Sequence, residues 1–107
     1  GTGSATIPPL VSLGFKPSLV LIKKINSTGN FLAYDNYRSP INTIDDQLLL
    51  TTNAAETTGS EEINFFSTGF APAATDSDIN TSGHTYIYAA WAINPFGGED
   101  ITDTTAF

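Results

Sequence analysis

The chain has 107 residues and a mass of 11.3 kDa, enough for one small domain and too little for a second independent core. Eleven acidic residues against four basic ones leave a net charge of −7, which argues against a nucleic-acid binder and against an anionic membrane surface as partner. Cysteine and methionine are both absent, so disulfides, thiolate chemistry and cysteine-held zinc are excluded. Charged residues make up only 14% of the chain, against roughly 25% in ordinary domains, and Thr, Ser and Asn fill the difference, predicting a neutral, hydroxyl-rich surface. No apolar run reaches the length of a membrane-spanning helix. With no Met and an opening Gly1-Thr2-Gly3-Ser4, the sequence reads as a chain begun after processing, cut from something longer, or carrying a tag scar.

The local pattern is β throughout. Phe15-Lys16-Pro17-Ser18 predicts a turn, with Pro17 fixing one backbone angle. Leu19 to Lys24 follows as a strand, and its four consecutive apolar residues predict a central position buried on both faces. Asn26 to Asn30 is a turn cluster in which Gly29 is available for a positive φ. Phe31 to Asp35 reads as the partner strand of a hairpin. Asn36 to Asp46 reads as a loop around Pro40, and Gln47 to Thr52 as the next strand. Asn53 to Glu56 could form a single helical turn, and Thr57 to Ser60 reads as loop. Glu61 to Phe66 alternates weakly, with Ile63 and Phe65 on one face. Ser67 to Phe70 predicts a tight turn into a further short strand.

Asp76 to Gly83 reads as a polar, solvated loop. The strongest strand signal comes next, Thr85 to Ile93, with Ile87, Ala89, Trp91 and Ile93 on one face and Tyr86, Tyr88, Ala90 and Ala92 on the other. Trp91 is expected in the core, and the tyrosine face is expected to be covered by a second sheet or another chain. Asn94 to Gly98 stops the strand, and residues 99–107 read as a flexible tail after a single β domain over residues 1–98. No amphipathic helix and no internal repeat is found. The fold class expected is all-β, a small sandwich of jelly-roll type or a barrel.

Tests for chemistry return little. His84 is the only histidine; Asp76, Asp78 and Ser82 lie near it in sequence, but in a chain so rich in Ser, Thr and Asp a surface-loop histidine is the reading preferred. Asp76-x-Asp78-x-Asn80-x-Ser82 has the alternation of a calcium loop, yet Thr81 stands where the sharp turn needs Gly and Ile87 where a bidentate Glu belongs. Asp45-Asp46 and Glu61-Glu62 are adjacent pairs whose members point to opposite faces of a strand, so neither pair can flank a glycosidic bond alone. No catalytic residue, metal site or cofactor is expected. Tyr34, Tyr37, Tyr86 and Tyr88 are the candidate contacts for a saccharide receptor or an interface.

Three stretches in order carry a resemblance. They are Gly14-Phe15-Lys16-Pro17-Ser18-Leu19-Val20-Leu21-Ile22-Lys23; Thr51-Thr52-Asn53-Ala54-Ala55-Glu56 followed by Ser67-Thr68-Gly69-Phe70; and Gly83-His84-Thr85-Tyr86-Ile87-Tyr88-Ala89-Ala90-Trp91-Ala92, ending in Asn94-Pro95-Phe96. The series resembles a β-rich domain of uncharacterised function in virion structural and tail-fibre proteins of tailed bacteriophages, marine and cyanobacterial phages among them. It runs from about Gly3 to Phe96. Ser18 stands where an Asp is common and Leu21 where a Trp is common, and Tyr34-Asp35-Asn36-Tyr37-Arg38 matches its counterpart only in part.

The resemblance implies a non-catalytic virion module in a tail appendage or on the capsid exterior, making assembly contacts and adhering to the host surface. Homo-oligomerisation, a trimer included, and docking on other virion proteins follow from it. Gly14, Pro17, Gly69 and Trp91 are then scaffold positions, and Arg38 joins the tyrosines as a surface contact, with a local ion pair to Asp35. Capsid decoration without a receptor site and a secreted carbohydrate-binding module unrelated to phage are the alternatives, with a small Asp/Glu hydrolase behind them.

Overall fold

A computed structural model of the chain describes residues 1–4, 6–37, 40–50, 53, 55–75 and 78–92. Seven strands form one antiparallel sheet: β1 (Val11–Ser12), β2 (Pro17–Lys24), β3 (Phe31–Asp35), β4 (Ile44–Leu49), β5 (Thr57–Phe66), β6 (Gly69–Pro72) and β7 (Tyr86–Ala92). Their order across the sheet is β1-β6-β5-β4-β3-β2-β7. The middle is a meander from β2 to β6, in which strands consecutive in the chain are neighbours in the sheet. No helix occurs among the described residues. The all-β expectation therefore holds, in a barrel-like form.

The sheet curls. β6 and β7 are separated by four strands in the sheet order, yet the Phe70 and Tyr88 rings meet edge-on, centroids 5.4 Å apart at 78°. A flat sheet could not bring them together, whereas the right-handed twist of successive strands does. The inner wall of this half-barrel carries the core: Val20 and Ile22 from β2, Leu32 and Tyr34 from β3, Ile44 from β4, Ile63 and Phe65 from β5, and Phe70 from β6. Each fully buried aliphatic side chain contributes about 1.5–3 kcal/mol relative to an exposed one.

Register explains which residues point inward. Val20 pairs with Tyr34 and Ala90, and Ile22 with Leu32 and Tyr88, so Tyr88 and Ala90 share the inner face. Leu19 pairs with Trp91 and Leu21 with Ala89 on the outer face. Trp91 is 49% exposed there, which corrects its expected place in the core. The two faces of β7 are nearly equal in apolar content, and only their pairing with Val20 and Ile22 decides between them. β2 is an interior strand, next to the edge strand β7, and its outer residues Leu19 and Leu21 are only half-buried, which corrects the expectation of burial on both faces.

Two boundaries differ from the sequence pattern. β4 starts at Ile44 and ends at Leu49, earlier than the run of leucines suggests. Between the pairs Ile44↔Ile63 and Asp46↔Thr58 the register shifts, leaving an excursion in β5 around Gly59. Thr57 to Ser60 is therefore strand with a bulge in it rather than loop. Asn42 extends the ladder with its side chain: its Nδ2 donates to the Phe65 carbonyl at 2.6 Å, and the Phe65 amide donates to its Oδ1 at 2.9 Å.

The scaffold positions have separate reasons. Gly14 holds a φ of +79° in the turn before β2. A Cβ on Gly69 would collide with the carbonyl of Val11, so β1 can pair with β6 only across a glycine. Pro17 is fully buried at the start of β2. A register shift follows it, and the Ser18 hydroxyl there donates to the carbonyls of Trp91 and Ala92 at 3.3 and 3.4 Å.

Tyr34 is wholly buried, and its hydroxyl donates to Gln47 Oε1 at 2.9 Å inside the core. It is a core residue and not a surface contact, since β3 turns Leu32 and Tyr34 to the inner wall together. Tyr34→Phe should lower stability by about 1–3 kcal/mol, read as a lower urea midpoint at unchanged slope. An unchanged midpoint would mean that the hydroxyl is solvated and that the surface reading of Tyr34 was right.

Candidate functional site

The curl stops short of closure. Between β1 and β6 on one side and β7 on the other lies a cleft of about 350 Å3. Ile22 and Ile79 lie deep in it, Val11, Phe70 and Pro72 line one side, and His84, Thr85, Tyr86 and Tyr88 line the other. Tyr86 and Tyr88, two of the candidates from the sequence, meet here because residues two apart on a strand share a face. Phe70, His84 and Thr85 were not singled out together in the sequence, because only the curl joins β6 to the approach of β7.

The remaining candidates lie elsewhere. Tyr37 is 87% exposed in the turn after β3, where its amide donates to Asp35 Oδ1 at 2.9 Å. Arg38, and with it the expected pair with Asp35, lies outside the described residues, as do residues 93–107 with the expected tail. A smaller cleft of about 200 Å3 is bounded by Lys16, Asn36, Pro40, Ile41, Asn42, Ile44 and Phe65.

One end of the half-barrel is closed by the segment before β7. Asp78, Ile79 and Asn80 are all buried, which corrects the expectation of a solvated loop. Ile79 joins the core, and that apolar contact pulls its polar neighbours inside, where each must find partners. Asn80 is completely buried and makes four contacts at about 3 Å. Its Oδ1 accepts from the Thr2 amide at 2.9 Å, its Nδ2 donates to the Ser4 and Ala74 carbonyls at 2.9 and 3.0 Å, and its own carbonyl accepts from the Gly3 amide at 2.7 Å. Asp78 Oδ2 accepts from Asn30 Nδ2 at 2.8 Å.

The turn after β2 fits around this segment. Gly29 does not take the positive φ expected of it. It is small instead: a Cβ would sit 2.8 Å from Asp78 Oδ1 and 3.1 Å from Lys24 Cε. Lys24 and Asp78, both over nine-tenths buried, thus flank one glycine.

The rim of the cleft has defined hydrogen-bonding capacity. Asn26 Oδ1 accepts from the Thr85 amide at 3.1 Å and lies 3.0 Å from His84 Nδ1. Since that oxygen already accepts from an amide, the neutral His84 ring carries its proton on Nδ1 and keeps Nε2 as an acceptor. Tyr86 Oη accepts from the Thr81 amide at 2.9 Å, tying the start of β7 to the segment around Asn80 that plugs this end of the half-barrel. Among the described residues the ring partner of His84 is an amide and not a carboxylate, so none of them supplies the orienting acid of a Ser-His-Asp site. Among the described residues no group of three or more metal-ligating side chains gathers, and the side chain of Asn80 is engaged by backbone.

Asn80→Ala should destabilise the domain by at least about 2 kcal/mol, because it leaves buried backbone groups unpaired. Asn80→Asp should be no milder, since a carboxylate cannot donate to the Ser4 and Ala74 carbonyls. Thermal denaturation with and without added calcium checks both: a mild Asp variant that calcium stabilises would show instead that Asn80 is a metal ligand.

No curated protein and no solved structure matches the chain. One family model does, over residues 1–95. The chain accordingly belongs to the family described as Domain of unknown function (DUF7483).

Proposed function

We propose that the chain is a non-catalytic structural module of a tailed-phage virion, in a tail fibre or appendage, making assembly contacts and adhering to the host surface. The virion placement is supported by the ordered motif series from Gly14 to Phe96. The contact role rests on one structural observation, the outer face of β7 and β2. Ile87 and Trp91 are 53% and 49% exposed there, beside Ala89, Leu19 and Leu21, with Lys23 at the margin opposite Ile87. An apolar surface of this kind marks an interaction site more often than a bare exterior.

The partner favoured is a second copy. Tyr86 to Ala92 carries no charge, while the whole chain carries −7, so copies meeting along β7 keep their acidic groups apart. Among the described residues, β7 pairs only with β2, and it lacks the charges, prolines and bulges that guard solvent-facing edge strands. Antiparallel pairing of two such strands about Ala89 would place Ile87 opposite Trp91 of the second copy and continue the apolar face across both.

Antibody labelling of purified particles tests the placement. Label on the tail is the expected result, label on the head would favour capsid decoration, and no label would overturn the virion reading. Sedimentation equilibrium tests the contact. The wild-type chain should self-associate, and Ile87→Lys with Trp91→Lys should leave a folded monomer. A wild type that stays monomeric at all concentrations would contradict association through β7.

A further inference from the structure

The cleft between β6 and β7 has the makings of a binding site, and we infer that it takes a neutral saccharide, one pyranose ring seated against Tyr88. This rests on the adhesion part of the proposed function and supplies the ligand class and the residues. The volume of about 350 Å3 lies at the small end of ligand pockets, roughly 300–1,000 Å3. Tyr88 is half-exposed on the inner face of an otherwise packed wall. Its edge contact with Phe70 fixes the ring and occupies at most one of its faces. An immobilised, partly uncovered aromatic ring is what the C–H face of a sugar stacks on.

Charge selects the ligand. Among the described residues no Asp, Glu, Lys or Arg side chain lines the cleft. An anion would meet the field of a chain carrying −7 and a Gly1 nitrogen already donating to the His84 carbonyl at 2.9 Å, and a cation would find no carboxylate among the described residues. Polarity narrows the choice further. His84 Nε2, the Thr85 hydroxyl and the Tyr88 hydroxyl have no hydrogen-bond partner among the described residues. A purely apolar guest, such as a hydrophobic side chain of a peptide, would strip water from these groups without replacing it, at a cost for each. A ligand with an apolar face and a hydroxyl edge satisfies both walls, with His84 accepting and the two hydroxyls donating or accepting.

The test uses the full chain and heteronuclear NMR titration with glucose, galactose, mannose and N-acetylglucosamine and their disaccharides. At least one should shift the amides of Phe70, His84, Thr85 and Tyr88 together, saturably. Tyr88→Ala should weaken that binding about tenfold or more. Thr85→Ala, an exposed change that leaves the backbone bonds of Thr85 intact, should weaken it severalfold, which covers the case of a Tyr88 variant that does not fold. Tyr37→Ala, on the remote turn, should leave it unchanged. If no sugar shifts these amides, or if a proline-rich peptide shifts them and sugars do not, the inference is overturned. Sugar binding at the cleft by a chain absent from particles would uphold this site and remove the virion placement. Labelled tails with a cleft that binds no sugar would do the reverse.

Discussion

The edge contact between Phe70 and Tyr88 is the constraint from which the architecture follows. It joins strands that the sheet order holds apart, and so it requires the curl. Once the sheet is curled, Val20, Ile22, Leu32, Tyr34, Ile63 and Phe65 face one another across a common interior instead of lying along one side of a flat sheet. The same contact sets the width of the seam: a single aromatic pair bridges it, and the space beside the pair is the cleft. Binding surface and core are therefore consequences of one packing event, and a change at Phe70 would be felt in both.

The plug around Asn80 completes the enclosure. A seven-stranded sheet of this length leaves its end open, and Ile79 is the apolar group that fills it. Its neighbours Asp78 and Asn80 are carried inside with it, and the chain meets that demand with Asn30 and with the backbone of residues 2–4 and Ala74. Gly29 is part of the same arrangement, because only a residue without a side chain leaves room for Asp78 and Lys24. Polar residues in this segment thus serve closure of the fold, whereas their spacing in sequence suggested solvent or a cation.

What the sequence made legible was local. The β2–β3 hairpin, the turn before β6 and the alternation in β7 follow from short-range patterns, and the structure keeps them. What it concealed was the outcome of long-range pairing. Nothing within β7 tells which of its two faces meets Val20 and Ile22, so the pattern alone puts Trp91 in the core and leaves the tyrosine face to a second sheet or another chain. Residue type alone marks Tyr34 as a candidate surface aromatic, because burial of its hydroxyl depends on Gln47, thirteen residues away on another strand. β1 is too short to register as a periodic segment and exists because Gly69 admits the Val11 carbonyl. Residue type alone marks Tyr86 and Tyr88, and their setting in a cleft with Phe70 and His84 depends on the curl.

The functional account depends on the two faces of β7 being assigned as they are, tyrosines toward the cleft and Trp91 toward the exterior. Proton–proton NOEs in the isolated chain measure this directly. The account predicts cross-peaks between the Phe70 and Tyr88 rings and between Tyr88 and Ile22, with none from the Trp91 indole to the methyls of Val20 or Ile63. Indole cross-peaks to those core methyls, with the tyrosine rings showing none, would reverse the strand and contradict both the contact face and the cleft.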